Sequence, residues 1–520
     1  MKNGFLLCAA SAVLMSAAWI GLGSVWLLIG MVPMLMLSAR MDASGRSMWK
    51  MAGWTALWIA LWYAIDVWWV WYATPAGPIA AAIVAIMYLG TAFMLFHFVS
   101  KRAPKPLAYT VLACAWIAAE YFYNTWQLSF PWLNIGNGFA REPWIVQWYE
   151  YTGVYGGTLW VLLCNILIYE CIVVARPRRA AAPLVAILLP AAVSLAIYST
   201  FDMPQKTASV SVLQPDIDPW NEKFDTSQKT QTENLLSLAE TSPEDVQFII
   251  MPETAIDEDI SEDNVNAAPS VGLFRRLLAE KYPQASIITG ATTFRFYDSP
   301  ATPTARPSRS TGGWYDIYNT AIGIDTSANT VLHHKNKLVI GAEMMPDWWW
   351  VKNLDRFILD LGGTTGHFGT DSFRRTFRSG GVVTASMICY ESIYGAYVSQ
   401  YVRNGAQFLC VITNDGWWGD TPGYRQHFSY ARLRAVENRR SIARSANTGI
   451  SGFIDPRGDV MQSLGWDKRG ALHADIPLND RTTFYTRHGD YICSLAIYTL
   501  GLCLLYFMAY RIRRRTHFVD

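Results

Sequence analysis

Basic residues gather after every second apolar segment of this chain, and that alternation limits the fold more than any single motif does. Apolar stretches lie near 4–21, 24–39, 51–73, 79–99, 107–125, 155–175, 182–200 and 491–510. Most approach the roughly 20 residues that a helix needs to cross a bilayer core. Lys2 precedes the first stretch, and Arg40, Arg46 and Lys50 follow the second. Lys101, Arg102 and Lys105 follow the fourth, Arg176, Arg178 and Arg179 the sixth, and Arg511, Arg513, Arg514 and Arg515 the last. The alternate connections 22–23 and 74–78 hold no Lys or Arg, and 126–154 holds only Arg141. Positive flanks stay on the cytoplasmic side of a membrane. The pattern therefore predicts a cytoplasmic N-terminus, seven crossings, residues 201–490 outside the cytoplasm, and an eighth span returning a basic tail. The first stretch also has a lysine, an apolar run and small residues, as a secretory signal peptide does, but its removal would break the alternation.

Composition agrees with this layout. Charged residues make up 16% of the chain, against about a quarter in soluble proteins. The formal net charge is +2 and the outer region has no basic stripe, which argues against a nucleic-acid partner. The expected organisation is a transmembrane bundle over 1–200, a folded outer domain over 201–490, and a last span with a cytoplasmic tail over 491–520. Cys8, Cys114, Cys164, Cys171, Cys493 and Cys503 fall in the spans and read as packing residues. Only Cys389 and Cys410 lie outside them, in a compartment where a disulfide between the two is the rival to a reactive thiol.

The outer region alternates short β-branched runs with amphipathic stretches. Strands are expected at Ala208–Leu213, Val246–Met251, Ser286–Gly290, Tyr318–Ile324, Val382–Ile388, Phe408–Thr413 and Gly449–Ile454. Helices are expected at Lys229–Ala239, Val271–Lys281, Ile393–Arg403 and Gln426–Ser441, with a surface loop over Ser299–Gly313. Such alternation predicts an α/β domain with a largely buried sheet.

Three reactive side chains follow apolar runs: Glu253 after Phe248–Pro252, Lys335 in His333-His334-Lys335, and Cys389 after Val382–Ile388. A thiol attacks as thiolate and needs a base or a positive charge beside it. A carboxylate can take its proton and return it to a leaving group. A lysine can stabilise an oxyanion, with the Tyr390 backbone N–H as a second donor. Singly, each residue has an ordinary structural explanation.

Together they resemble the carbon–nitrogen hydrolase (nitrilase) superfamily, whose catalytic residues are Glu, Lys and Cys in that chain order. Met251-Pro252-Glu253, Lys335 with Leu338, Val339 and Glu343, Cys389-Tyr390-Glu391, and Thr413-Asn414-Asp415-Gly416-Trp417-Trp418-Gly419-Asp420 carry the likeness. With eight apolar stretches around that region, and Phe130-Pro131-Trp132 and Gly156-Gly157-Thr158-Leu159 before and within the sixth, the whole chain is similar to the apolipoprotein N-acyltransferase family. Two segments depart from it. Leu-Val-Pro-Phe-Gly-Glu is Leu338-Val339-Ile340-Gly341-Ala342-Glu343 here, and Trp-Pro-Glu is Met251-Pro252-Glu253.

The resemblance implies a nitrilase-like αββα sandwich carried on about eight transmembrane helices of a bacterial inner membrane. It implies Glu253 as general base, Lys335 as stabiliser of thiolate and oxyanion, Cys389 as acyl-carrying nucleophile, and Glu343 as the carboxylate supporting Lys335. Tyr390 and Glu391 would line the site beside the thiol, and Trp220 is a candidate substrate contact. The implied reaction moves a fatty acyl chain from a membrane phospholipid, through a Cys389 thioester, to the N-terminal amine of diacylglyceryl-cysteine in an apolipoprotein. A thioester is activated enough to need no nucleotide, and no phosphate loop or zinc-ligand spacing stands out, so no cofactor and no metal are expected. Asp347-Trp348-Trp349-Trp350, Phe357, Ile358, Leu361, Trp417 and Trp418 suggest aromatic lids at a lipid portal. Asp66 and Glu120 lie within spans, where a carboxylate is either functional or part of helix packing. The rival readings are a membrane-tethered amidase hydrolysing small amides and an idle scaffold that binds lipoproteins.

Overall fold

The computed structural model describes residues 2–45, 47–172, 180–223, 225–308, 312–344 and 367–516. The chain divides into two units, one of Met1–Trp71, Pro75–Thr200 and His488–Asp520, the other of Tyr72–Thr74 and Phe201–Arg487.

Among the described residues the first unit is helical over most of its apolar stretches, because backbone N–H and C=O groups away from water must pair within their own segment. Among the described residues, five helical segments are long and apolar enough to cross a membrane: Ser24–Ala43, Gly77–Ser100, Tyr149–Ile172, Ala181–Thr200 and Tyr491–Arg514. Helices Lys2–Ser16, Met48–Asp66 and Lys105–Thr125 occupy the other three expected stretches. Pro33, Pro78 and Pro106 stand in the first turns of their helices, where a missing N–H costs nothing. Glu120 is buried among these helices, and its carboxylate accepts from Trp116 Nε1 (3.1 Å), Ile135 N (2.8 Å) and Thr158 Oγ1 (2.8 Å). It therefore ties three segments together, which is the packing reading of that residue. The clusters Arg176, Arg178 and Arg179 and the residues 347–361 lie outside the described residues.

The second unit holds fourteen described strands in two sheets. They are β1 (Thr207–Gln214), β2 (Phe248–Ile250), β3 (Ile256–Ser261), β4 (Ser286–Tyr297), β5 (Arg306–Pro307), β6 (Trp314–Ile324) and β7 (Val331–His334). Then come β8 (Phe377–Ser379), β9 (Val382–Ile388), β10 (Phe408–Thr413), β11 (Ile442–Ala446), β12 (Ser451–Ile454), β13 (Val460–Leu464) and β14 (Gly470–Pro477). One sheet runs β14-β1-β2-β4-β6-β5 with β3 and β7 attached, and the other runs β13-β12-β11-β10-β9-β8. Their centres are parallel: β1, β2 and β4 in the first, β9, β10 and β11 in the second.

Side-chain alternation explains why two sheets stack. On β2, Phe248 meets Phe408 of β10 with ring centroids 5.3 Å apart. Its neighbour Ile249 points the other way, into a cluster with Leu235, Phe274 and Leu278 of helices Gln228–Ala239 and Pro269–Lys281. Helices Gly395–Arg403 and Pro422–Asn438 accompany the second sheet, the longer one touching β12. The four layers are the nitrilase-type αββα sandwich.

Strands β9 and β10 have the boundaries expected from sequence, and the other expected strands are present with shifted ends. Three differences have clear causes. The Ser299–Gly313 loop joins the long hairpin of β4 and β6, which extends past Gly290 and begins before Tyr318, and the loop itself contributes β5. Strand β7 is not among the expected strands because His333-His334-Lys335 looks polar, yet both histidines are buried. Strand β11 was missed because Arg444 interrupts an apolar run, and its guanidinium is in fact buried against Asp415.

Candidate active site

The carboxyl ends of the parallel strands converge, as they do at ligand sites of parallel sheets. Glu253 lies just beyond β2, Cys389 directly follows β9, and Asn414 directly follows β10. Asn414 N donates to Glu253 Oε2 at 3.1 Å, so the two sheets meet at that carboxylate. Close packing holds Glu253 from behind. A Cβ on Gly290 of β4 would fall 2.4 Å from Thr254 N and 2.6 Å from Glu253 Cα.

Lys335 is placed by the β6–β7 ladder, its backbone N–H donating to Asn319 O at 2.8 Å. Its ammonium donates to Glu253 Oε1 (2.9 Å) and Glu343 Oε1 (2.8 Å). Burial alone would disfavour the charged form, but the two carboxylates outweigh it and hold the Lys335 pKa well above its usual value. Glu343 is set by a turn in which its own N–H donates to Val339 O (2.8 Å) while its Oε2 accepts from Val339 N (2.8 Å). Gly341 supplies the positive φ of +82° that this turn requires, so the local departure from the family pattern still delivers the carboxylate.

Cys389 has φ +50°, unusual for a residue with a side chain, at the junction of β9 and a short 3₁₀ turn, Cys389–Ile393. The thiol is buried, and burial followed by the Glu253 charge pushes its pKa up, while Lys335 pulls it down. Cys389 and Cys410 are both free; Cys410 pairs with Ser386 one strand away and its sulfur lies 3.3 Å from Thr384 Oγ1. The disulfide alternative is absent from the structure.

Glu391 is fully buried and accepts from Ile388 N (2.9 Å), Asn336 N (2.7 Å) and Tyr397 Oη. Burial would raise its pKa, but His333 and these donors lower it below the usual value. Its carboxylate thus ties the lysine loop to the end of β9. Tyr390 is buried with its ring edge-on to Tyr394 at 5.4 Å. Trp220 is 45% exposed and stands edge-on to Trp417, centroids 5.1 Å apart.

Sequence reasoning missed four residues here. Asn319 Nδ2 donates to both Glu253 Oε1 (2.8 Å) and Glu343 Oε1 (2.9 Å), bridging the carboxylates that hold Lys335. Its signal was the one amide in β6, which also carries Asp316 and Thr320. Lys223 is buried behind Glu253 and donates to Thr254 Oγ1; burial lowers its pKa against the pull of Asp257 and Glu253. His427 and Arg444 sit with Asp415 beneath the Cys389–Ile393 turn. His427 Nδ1 lies 2.9 Å from Asp415 Oδ1, and Arg444 Nη2 donates to Asp415 Oδ2 at 2.6 Å. Cys389, Asp415 and His427 offer donor atoms within 4.8 Å of one another, which is metal-like spacing. The guanidinium already neutralises Asp415, and both His427 nitrogens have partners, so this group is built as an ion pair and does not fit a cation.

Residues 209–485 match the family model described as carbon-nitrogen hydrolase, and residues 11–167 match the apolipoprotein N-acyltransferase N-terminal domain. The apolipoprotein N-acyltransferase of Chlorobaculum tepidum is 32% identical over 467 residues, covering 85% of this chain and 84% of that one. The chain belongs to the apolipoprotein N-acyltransferase family. Relatives of the same name in Rhodopseudomonas palustris and Geobacter metallireducens are 28% and 26% identical, covering 90% and 72% of this chain and 86% and 69% of theirs. Among solved structures, an amidase of Nesterenkonia sp. AN1 is 15% identical, with a TM-score of 0.37 over 57% of this chain and 98% of that one. Family membership spans both units, so the helical unit and the site-bearing unit are parts of one acyltransferase-type architecture.

Proposed function

We propose that this protein transfers a fatty acyl chain from a membrane phospholipid to the N-terminal amine of a diacylglyceryl-apolipoprotein, through a thioester on Cys389. One observation carries the acyltransferase reading over simple amide hydrolysis. The carbon-nitrogen hydrolase region lies in a chain that also matches the acyltransferase N-terminal domain, and that domain holds membrane-length apolar helices. A water-using amidase has no need of them, whereas a donor dissolved in a bilayer does.

The geometry supports a two-step path. Glu253 takes the Cys389 proton as sulfur attacks the ester carbonyl. The oxyanion is stabilised by the Lys335 ammonium and the Tyr390 N–H, each such donor being worth about 3–4 kcal/mol of barrier. Collapse expels a lysophospholipid alkoxide, which takes the proton from Glu253, and leaves the thioester. The acceptor amine then attacks, gives its proton to Glu253, and the amide forms as Cys389 leaves and is reprotonated. Glu343 and Asn319 keep Lys335 and Glu253 in register throughout.

In this reading the catalytic domain spans 201–490 on the periplasmic side of a bacterial inner membrane. The bundle of 1–200 and the last helix with its tail, 491–520, leave both termini in the cytoplasm. The test is direct. Incubated with phospholipid, the purified protein gains the mass of one fatty acyl group on the Cys389 peptide. Cys389→Ala abolishes the gain, and a diacylglyceryl lipopeptide clears it. Cleavage of small amides without any acyl group on Cys389 would instead establish the amidase alternative.

A further inference from the structure

Cys389 has a carbonyl that is held as firmly as its thiol is placed. Its oxygen accepts from Ser392 Oγ at 2.7 Å and from His427 Nε2 at 3.2 Å. Peptide bonds are planar and trans, so the Cys389 C=O and the Tyr390 N–H point in opposite directions. Fixing the carbonyl downward, against His427, fixes the N–H upward. A backbone at φ +50° is not held there by its own preferences, and surrounding contacts must over-determine it.

The support beneath this peptide is a continuous buried chain. A carbonyl oxygen only accepts, so the His427 contact requires the proton on Nε2. Nδ1 faces both Asp415 Oδ1 (2.9 Å) and Arg444 Nη2 (3.0 Å), so with Nε2 protonated the ring either accepts from Arg444 at Nδ1 or, as imidazolium, donates there to Asp415; Nε2 also lies 3.0 Å from Ser392 Oγ. Asp415 balances Arg444 at 2.6 Å and is itself anchored by Thr413 Oγ1 at 2.8 Å. Ser392, His427, Asp415 and Arg444 are all fully buried, so water does not compete for these bonds.

We propose that His427 is a positioning residue that aims the Tyr390 N–H at the oxyanion, by donating from Nε2 to the Cys389 carbonyl and so fixing the Cys389–Tyr390 peptide plane. The proposal rests on Cys389 being the acyl-carrying nucleophile. It differs from a general-base role, because the ring acts through the backbone and exchanges no proton with substrate. It also differs from a purely structural role, because its effect is felt only where an oxyanion forms.

The experiment uses full-length protein in mixed micelles of phosphatidylethanolamine and phosphatidylglycerol, and reads two rates. One is single-turnover formation of the Cys389 thioester, by intact mass. The other is alkylation of Cys389 by iodoacetamide, a displacement at saturated carbon that makes no oxyanion. His427→Leu is expected to slow thioester formation by about 100-fold at saturating lipid, in line with loss of one oxyanion donor, with half-saturation and alkylation little changed. His427→Gln, whose amide can still donate to the carbonyl, is expected to recover most of the rate. Ser392→Ala, which removes the other donor, is expected to slow it several-fold, and it carries the test if the Leu variant does not fold. Wild-type thioester rates in His427→Leu or Ser392→Ala overturn the proposal. So does a Gln variant as slow as Leu, which would mark a proton-transfer role, or alkylation falling in parallel with acylation, which would mark a displaced thiol. A wild-type protein that never loads Cys389 overturns this proposal and the acyl-enzyme reading together. An unaffected variant of a loading wild type overturns this one alone.

Discussion

The two sheets bring charge to Cys389 in different proportions. From the first come two carboxylates and one ammonium, Glu253, Glu343 and Lys335. From the second comes a balanced pair, Asp415 with Arg444, and a histidine between them and the backbone. The surplus negative charge works on the thiol directly, since Glu253 raises its pKa and Lys335 opposes that rise. Asp415 also raises the thiol pKa, less than Glu253 does, but Arg444 pairs with it, and His427 beside that pair contacts the Cys389 carbonyl. In the proposed reading the unbalanced cluster does proton chemistry and the neutralised one holds geometry.

The largest effect should come from changing the charge of the first cluster. Glu253→Gln is expected to lower acyl transfer on the order of 10³-fold by removing the proton acceptor. The same change removes the charge that raises the thiol pKa, so alkylation of Cys389 should begin at lower pH than in the wild type. Lys335→Met should also abolish transfer but shift alkylation to higher pH. A pH profile of iodoacetamide labelling checks both, and shifts in the same direction would refute the assignment of opposed charges. Next in size is Gly290→Ala. The new methyl would meet the backbone of Glu253 and Thr254, which cannot swing aside as a side chain can. Overpacking of this kind costs about 1–3 kcal/mol, and a displaced carboxylate should lower transfer by about 100-fold. Thermal unfolding and transfer assays measure the two parts, and full activity would show that Glu253 tolerates the shift.

Much of the first cluster was legible in the sequence, and little of the second. Glu253 and Cys389 each follow an apolar run, so strand ends and reactive groups coincide there in a linear reading, whereas Lys335 follows two histidines and stood out through its resemblance to the family pattern. Strand β10 is buried throughout and β9 everywhere but Val383, and both are rich in β-branched residues, which is why their limits could be read directly. Asn319, His427 and Arg444 could not be singled out, because each looks like a polar interruption of a buried element. What makes them functional candidates is a partner distant in sequence: Asn319 reaches Glu253 and Glu343, and Arg444 reaches Asp415. Glu391 was expected beside the thiol, whereas its carboxylate serves Asn336 and Ile388 backbone groups, a role set by loop packing that no local pattern encodes.

The balanced pair makes a prediction of its own about acid. Burial would raise the Asp415 pKa, but Arg444 and His427 outweigh it and lower it from 3.8 to about 2. A carboxylate depressed in the folded state contributes stability above its unfolded pKa and loses it as pH falls through the folded one. Asp415 should therefore contribute about 2 kcal/mol above pH ~4 that disappears by pH ~2. Denaturant unfolding measured across that window should be flatter in Asp415→Asn than in the wild type. An unchanged slope would mean that the pair is already open to solvent.

Trp220 belongs to neither cluster, and it should give the smallest effect. It is 45% exposed, hydrogen-bonded into the Asp218 turn through its own N–H, and touches Trp417 edge-on. Such a ring pair is worth about 0.5–1.5 kcal/mol, so Trp220→Ala should shift stability by no more than that. Because it touches none of the charged groups, loading of Cys389 by phospholipid should stay within two-fold, while clearance of the thioester by a lipopeptide falls several-fold. A variant in which loading fails and clearance survives would place Trp220 with the donor chemistry, and would show that the division between the two sheets does not extend to the surface that receives the acceptor.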